Sequence, residues 1–203
     1  MGAPGWPARL AHGAVEVRPL RARDAGAWAE VRIRNEAWLS PWEGRSPSQP
    51  RLEWRDRHTS AVFAVMLLSH RREARAGRML PFAVVVGGRL AGQLTVSSVV
   101  RGAFDAGAVG YWVDERVAGR GVLPTALALV ADHCFGPVGL HRLEANVRPE
   151  NTASRRAVAK LGFREEGLHR RYLFIDEDWR DHVAYALLRE DLPAGVLATL
   201  LAR

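Results

Sequence analysis

The hydrophobic period of this chain changes at Gly77, and that change constrains the fold more than any other feature. Before it, Ala27, Trp28, Val31 and Trp38 recur at helical spacing in a segment that Asp24 can cap and that runs to about Leu39. A second helical stretch covers about Arg51 to Ala76. Between the two, Ser40–Pro50 carries Pro41, Gly44, Pro47 and Pro50 and must be a loop. After Gly77 the period falls to two. Leu80–Val86 reads as a strand, Gly87-Gly88 as a hairpin turn and Arg89–Val100 as the return strand.

A further strand, Ala108–Asp114, follows the loop Arg101–Gly107 and leads through the basic turn Arg116–Gly121 into a helix over Val122–Phe135. His141–Val147 is predicted as a strand and Asn151–Lys160 as a helix. Strands over Arg170–Ile175 and His182–Leu188 flank a turn at Asp176–Asp181. At the start, Ala14–Leu20 alternates as a short strand closed by Pro19, behind a loose arm of residues 1–12. The order of elements predicts one mixed α/β (α+β) domain over residues 14–190, with an arm at 1–13 and a terminal segment at 191–203.

Composition narrows the class. The 203 residues suit one domain, and 48% apolar with 25% charged residues is ordinary for a globular chain. Cys134 is the single cysteine, so no intramolecular disulfide or thiolate cluster can form; it reads as core filler. Neither a signal-peptide core nor a run near the ~20 residues of a bilayer span is present, which predicts a cytoplasmic protein with no membrane partner. The formal charge is +7, carried almost wholly by arginine, with Lys160 the one lysine. An arginine-biased codon usage explains this, and so does an anionic partner: nucleic acid, a ribosome surface or a phosphate-rich cofactor. Nucleic-acid contact is permitted by the charge and not required by it.

Two constellations carry chemistry. Tyr111-Trp112-Val113-Asp114-Glu115-Arg116-Val117-Ala118-Gly119-Arg120-Gly121 ends a strand in a glycine turn and enters a helix at Val122. Free N–H groups and the positive end of the helix dipole at such a turn bind phosphate oxygens. Gly119 and Gly121 admit close approach, Arg116 and Arg120 add charge, and Pro124 costs little so early in a helix. An ordinary strand-to-helix connection would read the same way. Further on stands Asn146-Val147-Arg148-Pro149-Glu150-Asn151-Thr152-Ala153-Ser154, followed by Leu161-Gly162-Phe163; taken alone, Asn151 is a helix cap.

Together, Arg116-x-x-Gly119-x-Gly121 and Asn146-x-x-Pro149-Glu150-Asn151-x-x-Ser154 resemble the GNAT superfamily of acetyl-CoA-dependent N-acetyltransferases. Arg34-Asn35-x-x-Trp38-Leu39-x-Pro41-Trp42-Glu43 and Trp179-Arg180-Asp181-His182 are similar to its RimJ/RimL branch. The resemblance implies a splayed, mostly antiparallel sheet of about seven strands flanked by helices. It also implies acetyl-CoA as cosubstrate and direct attack by an amine in a ternary complex. Tyr111, Trp112 and Val113 would lie along the pantetheine arm, with Asn146 and Asn151 bonding to it. The pyrophosphate would sit over Arg116, Val117, Ala118, Gly119, Arg120, Gly121 and Val122, and an N–H near Trp112 or Val113 would face the oxyanion.

Many members carry a tyrosine acid four residues before the Gly-Phe pair, where this chain has Val158; in RimJ/RimL-like enzymes the serine of the Asn-x-x-Ser motif is the usual proposal, so the resemblance implies Ser154 as the acid. For the base, Glu43, Glu144 and Asp176 are candidates. Trp38, Trp42 and Glu43 would border the acceptor, expected to be the α-amine of a peptide or (ribosomal) protein N-terminus. Small amines such as an aminoglycoside or polyamine, or a non-catalytic RNA- or ribosome-docking role, are the rival readings. Asp176, Asp178 and His182 read as turn and strand residues and predict no metal. Oligomeric state is not written in the sequence.

Overall fold

Strand β3 (Leu80–Val86) is buried on both faces, which explains its unbroken apolar run. Leu80, Phe82 and Val84 face one core and Ala83 and Val85 a second, so β3 lies in a sheet covered on both sides. The computed structural model describes residues 3–202. Its sheet has eight strands: β1 (Leu10–His12), β2 (Val15–Pro19), β3, β4 (Arg89–Val100), β5 (Ala106–Val113), β6 (Arg142–Val147), β7 (Arg164–Ile175) and β8 (Asp178–Leu188), in spatial order β1-β2-β3-β4-β5-β6-β8-β7.

Helices α1 (Ala25–Arg34), α2 (Glu36–Leu39), α3 (Trp54–Arg57) and α4 (Ser60–Arg75) follow β2, and Trp28, Phe63 and Leu67 fill the core on their side of the sheet. Helix α5 (Val122–Phe135) is apolar nearly all round because it fills the opposite core, where Val122, Leu127 and Val130 meet the sheet. Cys134 is fully buried there, and burial pushes its thiol up to about 12, which makes it packing. Helix α6 (Thr152–Lys160) adds Val158 and α7 (Val196–Leu201) adds Val196 to the same core. The terminal segment therefore packs on α5, whose Asp132 accepts the N–H groups of Val196 and Leu197 and caps α7.

One pairing positions the site. β5 and β6 are the parallel pair, joined only at Ala106–Arg142, Gly107–Leu143 and Ala108–Glu144. Beyond Ala108 and Glu144 the strands continue to Val113 and Val147 without pairing, so the sheet opens into a gap.

Several boundaries differ from the sequence reading. The eighth strand lies in the expected loose arm: Leu10–His12 pairs with Val15–Val17, and Trp6 packs edge-on against Phe82 at 5.1 Å. Residues 1 and 2 of that arm, and residue 203, lie outside the described residues. The expected helix to Leu39 breaks at Asn35, whose side chain bonds elsewhere, and the Arg51–Ala76 helix breaks at His58 before Thr59 caps α4. Asp24 does not cap α1 through its side chain; it accepts the Arg21 N–H at 2.8 Å and is buried in a two-point pair with Arg18, both contacts 2.8 Å. Ala27 is exposed. The late turn shrinks from Asp176–Asp181 to Asp176 and Glu177, both at positive φ, as a two-residue hairpin requires. β7 and β8 are longer than predicted, because most of β7 is exposed and shows no alternation.

Candidate active site

At the mouth of the gap the backbone makes the site. Asp114 accepts the Arg116 N–H across a short turn of 3-10 helix, and the chain reaches α5 through Gly119 and Gly121, at φ 73 and 77. A left-handed residue at the helix N-cap favours glycine and turns the first N–H groups of α5, which have no intrahelical partner, outward. Asp114 is held in turn: burial pushes its carboxyl up, but hydrogen bonds from Arg34, Asn35 and the Arg116 N–H outweigh burial and set it below its ordinary value. Asn35 also accepts the Glu115 N–H at 2.9 Å. The Arg34-Asn35 pair thus fixes the start of the glycine loop, a positioning role its motif did not reveal.

In the gap itself, strand alternation selects the donors. The Asp114 N–H bonds to Ala91 of β4 at 2.8 Å, so the N–H groups of Tyr111 and Val113 point to the opposite side, toward the gap. The Trp112 N–H points to β4, so of the two expected donors it is Val113 whose N–H faces the gap. The Val113 carbonyl accepts the Trp38 indole N–H at 3.2 Å, which ties α2 to β5.

On the facing side, Asn151 caps α6 through Oδ1, which accepts the Ser154 N–H at 3.0 Å and leaves its amide hydrogens for a ligand. Ser154 Oγ lies 2.8 Å from Tyr111 Oη. Burial pushes the Tyr111 hydroxyl up to about 12, so it keeps its proton and orients the serine. Sequence reasoning missed this pair: it placed Tyr111 by its backbone, and residues 43 apart give no local signal. Val158 is fully buried in the core, so nothing acidic replaces the missing tyrosine there. Asn146 reaches Tyr172 of β7 at 3.4 Å.

The other end of the cleft is made of side chains. Arg32 is buried with its guanidinium between the rings of Trp28, Trp54 and Trp112, 4.8–5.8 Å from their centres. Burial, with Arg57 nearby, pulls it down to about 9, still a cation near neutral pH. It pairs with Glu43, which Arg57 also contacts at 2.8 Å. His58 donates from Nδ1 to the Trp54 carbonyl at 2.7 Å and accepts from Arg32 at Nε2. Burial, then Arg32, lowers His58 to about 4, so it is neutral, and its 3.0 Å approach to Glu43 is bridged by the guanidinium. The loop above is tied across the cleft. Arg148 donates to the Pro41 carbonyl at 2.8 Å while covering Trp42, and the Arg45 N–H donates to Phe174 at 3.1 Å.

The result is one cleft of about 980 Å³, within the size range of ligand sites. Its wall gathers Trp38, Trp42, Glu43, Tyr111, Trp112, Val113, Val117, Ala118, Gly119, Gly121, Val122, Asn146, Asn151 and Ser154. Arg116 and Arg120 are exposed and outside that wall. The base candidates fare differently. Glu144 sits where β5 and β6 are still paired and bonds to Arg142, while Asp176 is exposed in the distal turn. Glu43 does line the cleft, yet its carboxylate holds two guanidiniums, which leaves it a poor proton acceptor and no free charge for an ammonium.

Comparison with known proteins agrees with this geometry. The family model described as an acetyltransferase (GNAT) domain matches residues 15–164. The chain is 44% identical to Mycobacterium smegmatis RimJ, solved in complex with CoA-disulfide, over 98% of this chain and 96% of that one, with a TM-score of 0.94. It is 31% identical to the ribosomal protein uS5-alanine N-acetyltransferase of Escherichia coli (strain K12), over 92% of this chain and 94% of that protein. A 38% identity to the probable N-acetyltransferase YjcK of Bacillus subtilis covers 51% of this chain and just 57% of that protein.

Proposed function

The chain belongs to the GNAT acetyltransferase family, and from that premise we propose that it acetylates the α-amino group of a protein N-terminus, with a ribosomal protein as its natural acceptor in the cytoplasm. It is an acetyl-CoA-dependent N-acetyltransferase. The observation that carries the reading is the single cleft, with backbone donors and a helix N-terminus at one end and two tryptophans at the other. The name of the Escherichia coli relative supports the ribosomal acceptor. No helix among the described residues is long and apolar enough to cross a membrane.

Bound acetyl-CoA supplies a thioester whose acetyl carbon accepts the amine. The N–H groups at the start of α5 hold the pyrophosphate, helped by Arg116 and Arg120 at the mouth. Asn146 and Asn151 bond to the pantetheine arm. The Val113 N–H donates where negative charge grows on the carbonyl oxygen, from a strand position that needs no rearrangement. Ser154, oriented by Tyr111, donates its hydroxyl proton toward the departing sulfur. Trp38 and Trp42 wall the acceptor's first side chain, and the tied loop closes over it.

A cleft with no strong anionic base favours the more acidic ammonium. An α-ammonium loses its proton near pH 7.7–8.0 and a lysine near 10.4, a gap worth about 3.5 kcal/mol against lysine. Mass spectrometry on a peptide with a free N-terminus and an internal lysine should find acetyl on the N-terminus. Acetylation mainly on the lysine rejects the α-amine reading; an enzyme that leaves both untouched and modifies aminoglycosides is a small-amine acetyltransferase.

A further inference from the structure

The acceptor arrives as an ammonium and must lose a proton before it can attack, yet Glu43 is occupied by Arg32 and Arg57. Of the other cleft-lining groups that could accept a proton, Glu150 is exposed and bonded to Arg148, and Tyr111 is committed to Ser154. The remaining one is His182. It lies on β8 and is 3% exposed. Alternation puts His182 on the same face as Ala184, which pairs with Asn146; Val183 and Tyr185 turn to the opposite face and enter the core. His182 therefore flanks Asn146 beside the gap, on the side where the acceptor wall stands.

Its tautomer is fixed by the fold. Nδ1 lies 3.0 Å from the Arg180 carbonyl, which can only accept, so Nδ1 carries the hydrogen and Nε2 the lone pair of the neutral ring. Among the described residues Nε2 has no hydrogen-bond partner, and it is not among the unpartnered polar atoms sealed from solvent. It is open to the cleft that His182 lines.

We propose that His182 is the general base of the transfer reaction, taking the proton of the incoming ammonium at Nε2. The ammonium N–H bond breaks toward Nε2 and the freed lone pair forms the bond to the acetyl carbon. The carbon–sulfur bond then breaks with its electron pair going to sulfur, which takes the Ser154 hydroxyl proton, and the second nitrogen proton, lost as the amide forms, restores the Ser154 hydroxyl through solvent. His182 returns its proton to solvent. The groups facing the ring set its charge: burial lowers its affinity for a proton most, the Arg180 carbonyl raises it, Arg148 lowers it, Glu150 raises it and His169 lowers it. The net effect is below the ordinary value, so the ring is neutral and able to accept near pH 7.

The inference rests on the α-amine reading only for the choice of acceptor, and kinetics on whichever amine the wild type acetylates fastest separate the two. Nitrogen-15 NMR of the ligand-free protein at pH 7 should show His182 with Nδ1 protonated and Nε2 bare. His182→Gln and His182→Ala should lower single-turnover kcat at pH 7 by about 10²-fold or more, as loss of a general base does. Affinity for acetyl-CoA should stay within about threefold, because a base contributes to the chemical step and not to cofactor binding. The acidic limb of the kcat–pH profile should move up toward the pKa of the amine itself, and added imidazole should restore part of the rate to His182→Ala. A kcat within about threefold of wild type with the limb unmoved would overturn the proposal, since general bases contribute far more than that. So would an Nε2–H ring at pH 7, which does not depend on how either variant folds.

Discussion

The two ends of the cleft are built from different materials. The end we assign to the cofactor is backbone: two left-handed glycines and the N-terminus of α5, contributed by one continuous stretch from Tyr111 to Val122. The end we assign to the acceptor is side chain: Arg32 from α1, Glu43 from a loop, Arg57 and His58 beyond it, and Arg148 from the far side of the gap. A backbone site tolerates changes in most of its side chains and fails where φ is forced. A side-chain cluster fails wherever one partner is removed, because the charge it leaves behind is still buried.

Ser154→Ala tests the place where the two ends meet and should have the largest effect. Losing a donor to the leaving group should lower kcat by about 10²–10⁴-fold, with acetyl-CoA affinity within a few-fold of wild type. Single-turnover kinetics with calorimetry decide it; an unchanged chemical step removes Ser154 from the mechanism and leaves Tyr111–Ser154 as packing.

Glu43→Gln probes the acceptor end by itself. It strips Arg32 of its anion between three tryptophans, and should cost about 3 kcal/mol of unfolding free energy, the low end for breaking a buried pair because Glu43 is partly exposed. Urea unfolding measures the loss, and acetyl-CoA affinity should hardly move. A stable variant with weakened cofactor binding would erase the distinction between the two ends.

Gly121→Asp addresses the cofactor end. A side chain at φ 77 is strained, and its carboxylate would oppose the pyrophosphate, so the Kd for acetyl-CoA should rise more than tenfold, about 1.4 kcal/mol or more. Acceptor-end stability should be untouched. Calorimetry giving wild-type affinity in a folded variant would show that the loop does not hold the pyrophosphate.

The same division explains what could be read before the structure was known. Local chemistry was legible: the hairpin at Gly87-Gly88, the glycine turn into α5 and the Asn151 cap of α6 each depend on backbone preferences within a few residues. The eighth strand was not, because Leu10–His12 is three residues long, exposed at Ala11 and His12, and owes its conformation to its pairing with β2. The ion pairs of Glu43 were not legible either, since the guanidiniums that occupy it are 11 and 14 residues away in sequence and meet it only by packing.

From its sequence alone this protein has its period, its order of elements, its glycine turn into α5 and its missing tyrosine at Val158, all of them properties of neighbouring residues. Only the tertiary structure decided that β5 and β6 part after Ala108, that Val113 rather than Trp112 faces the gap, that Tyr111 orients Ser154, and that His182 keeps an open lone pair there. Those are facts of register and burial. Register is set by strands far apart in the chain, and burial decides which partner a polar group finds and which protonation state it can hold.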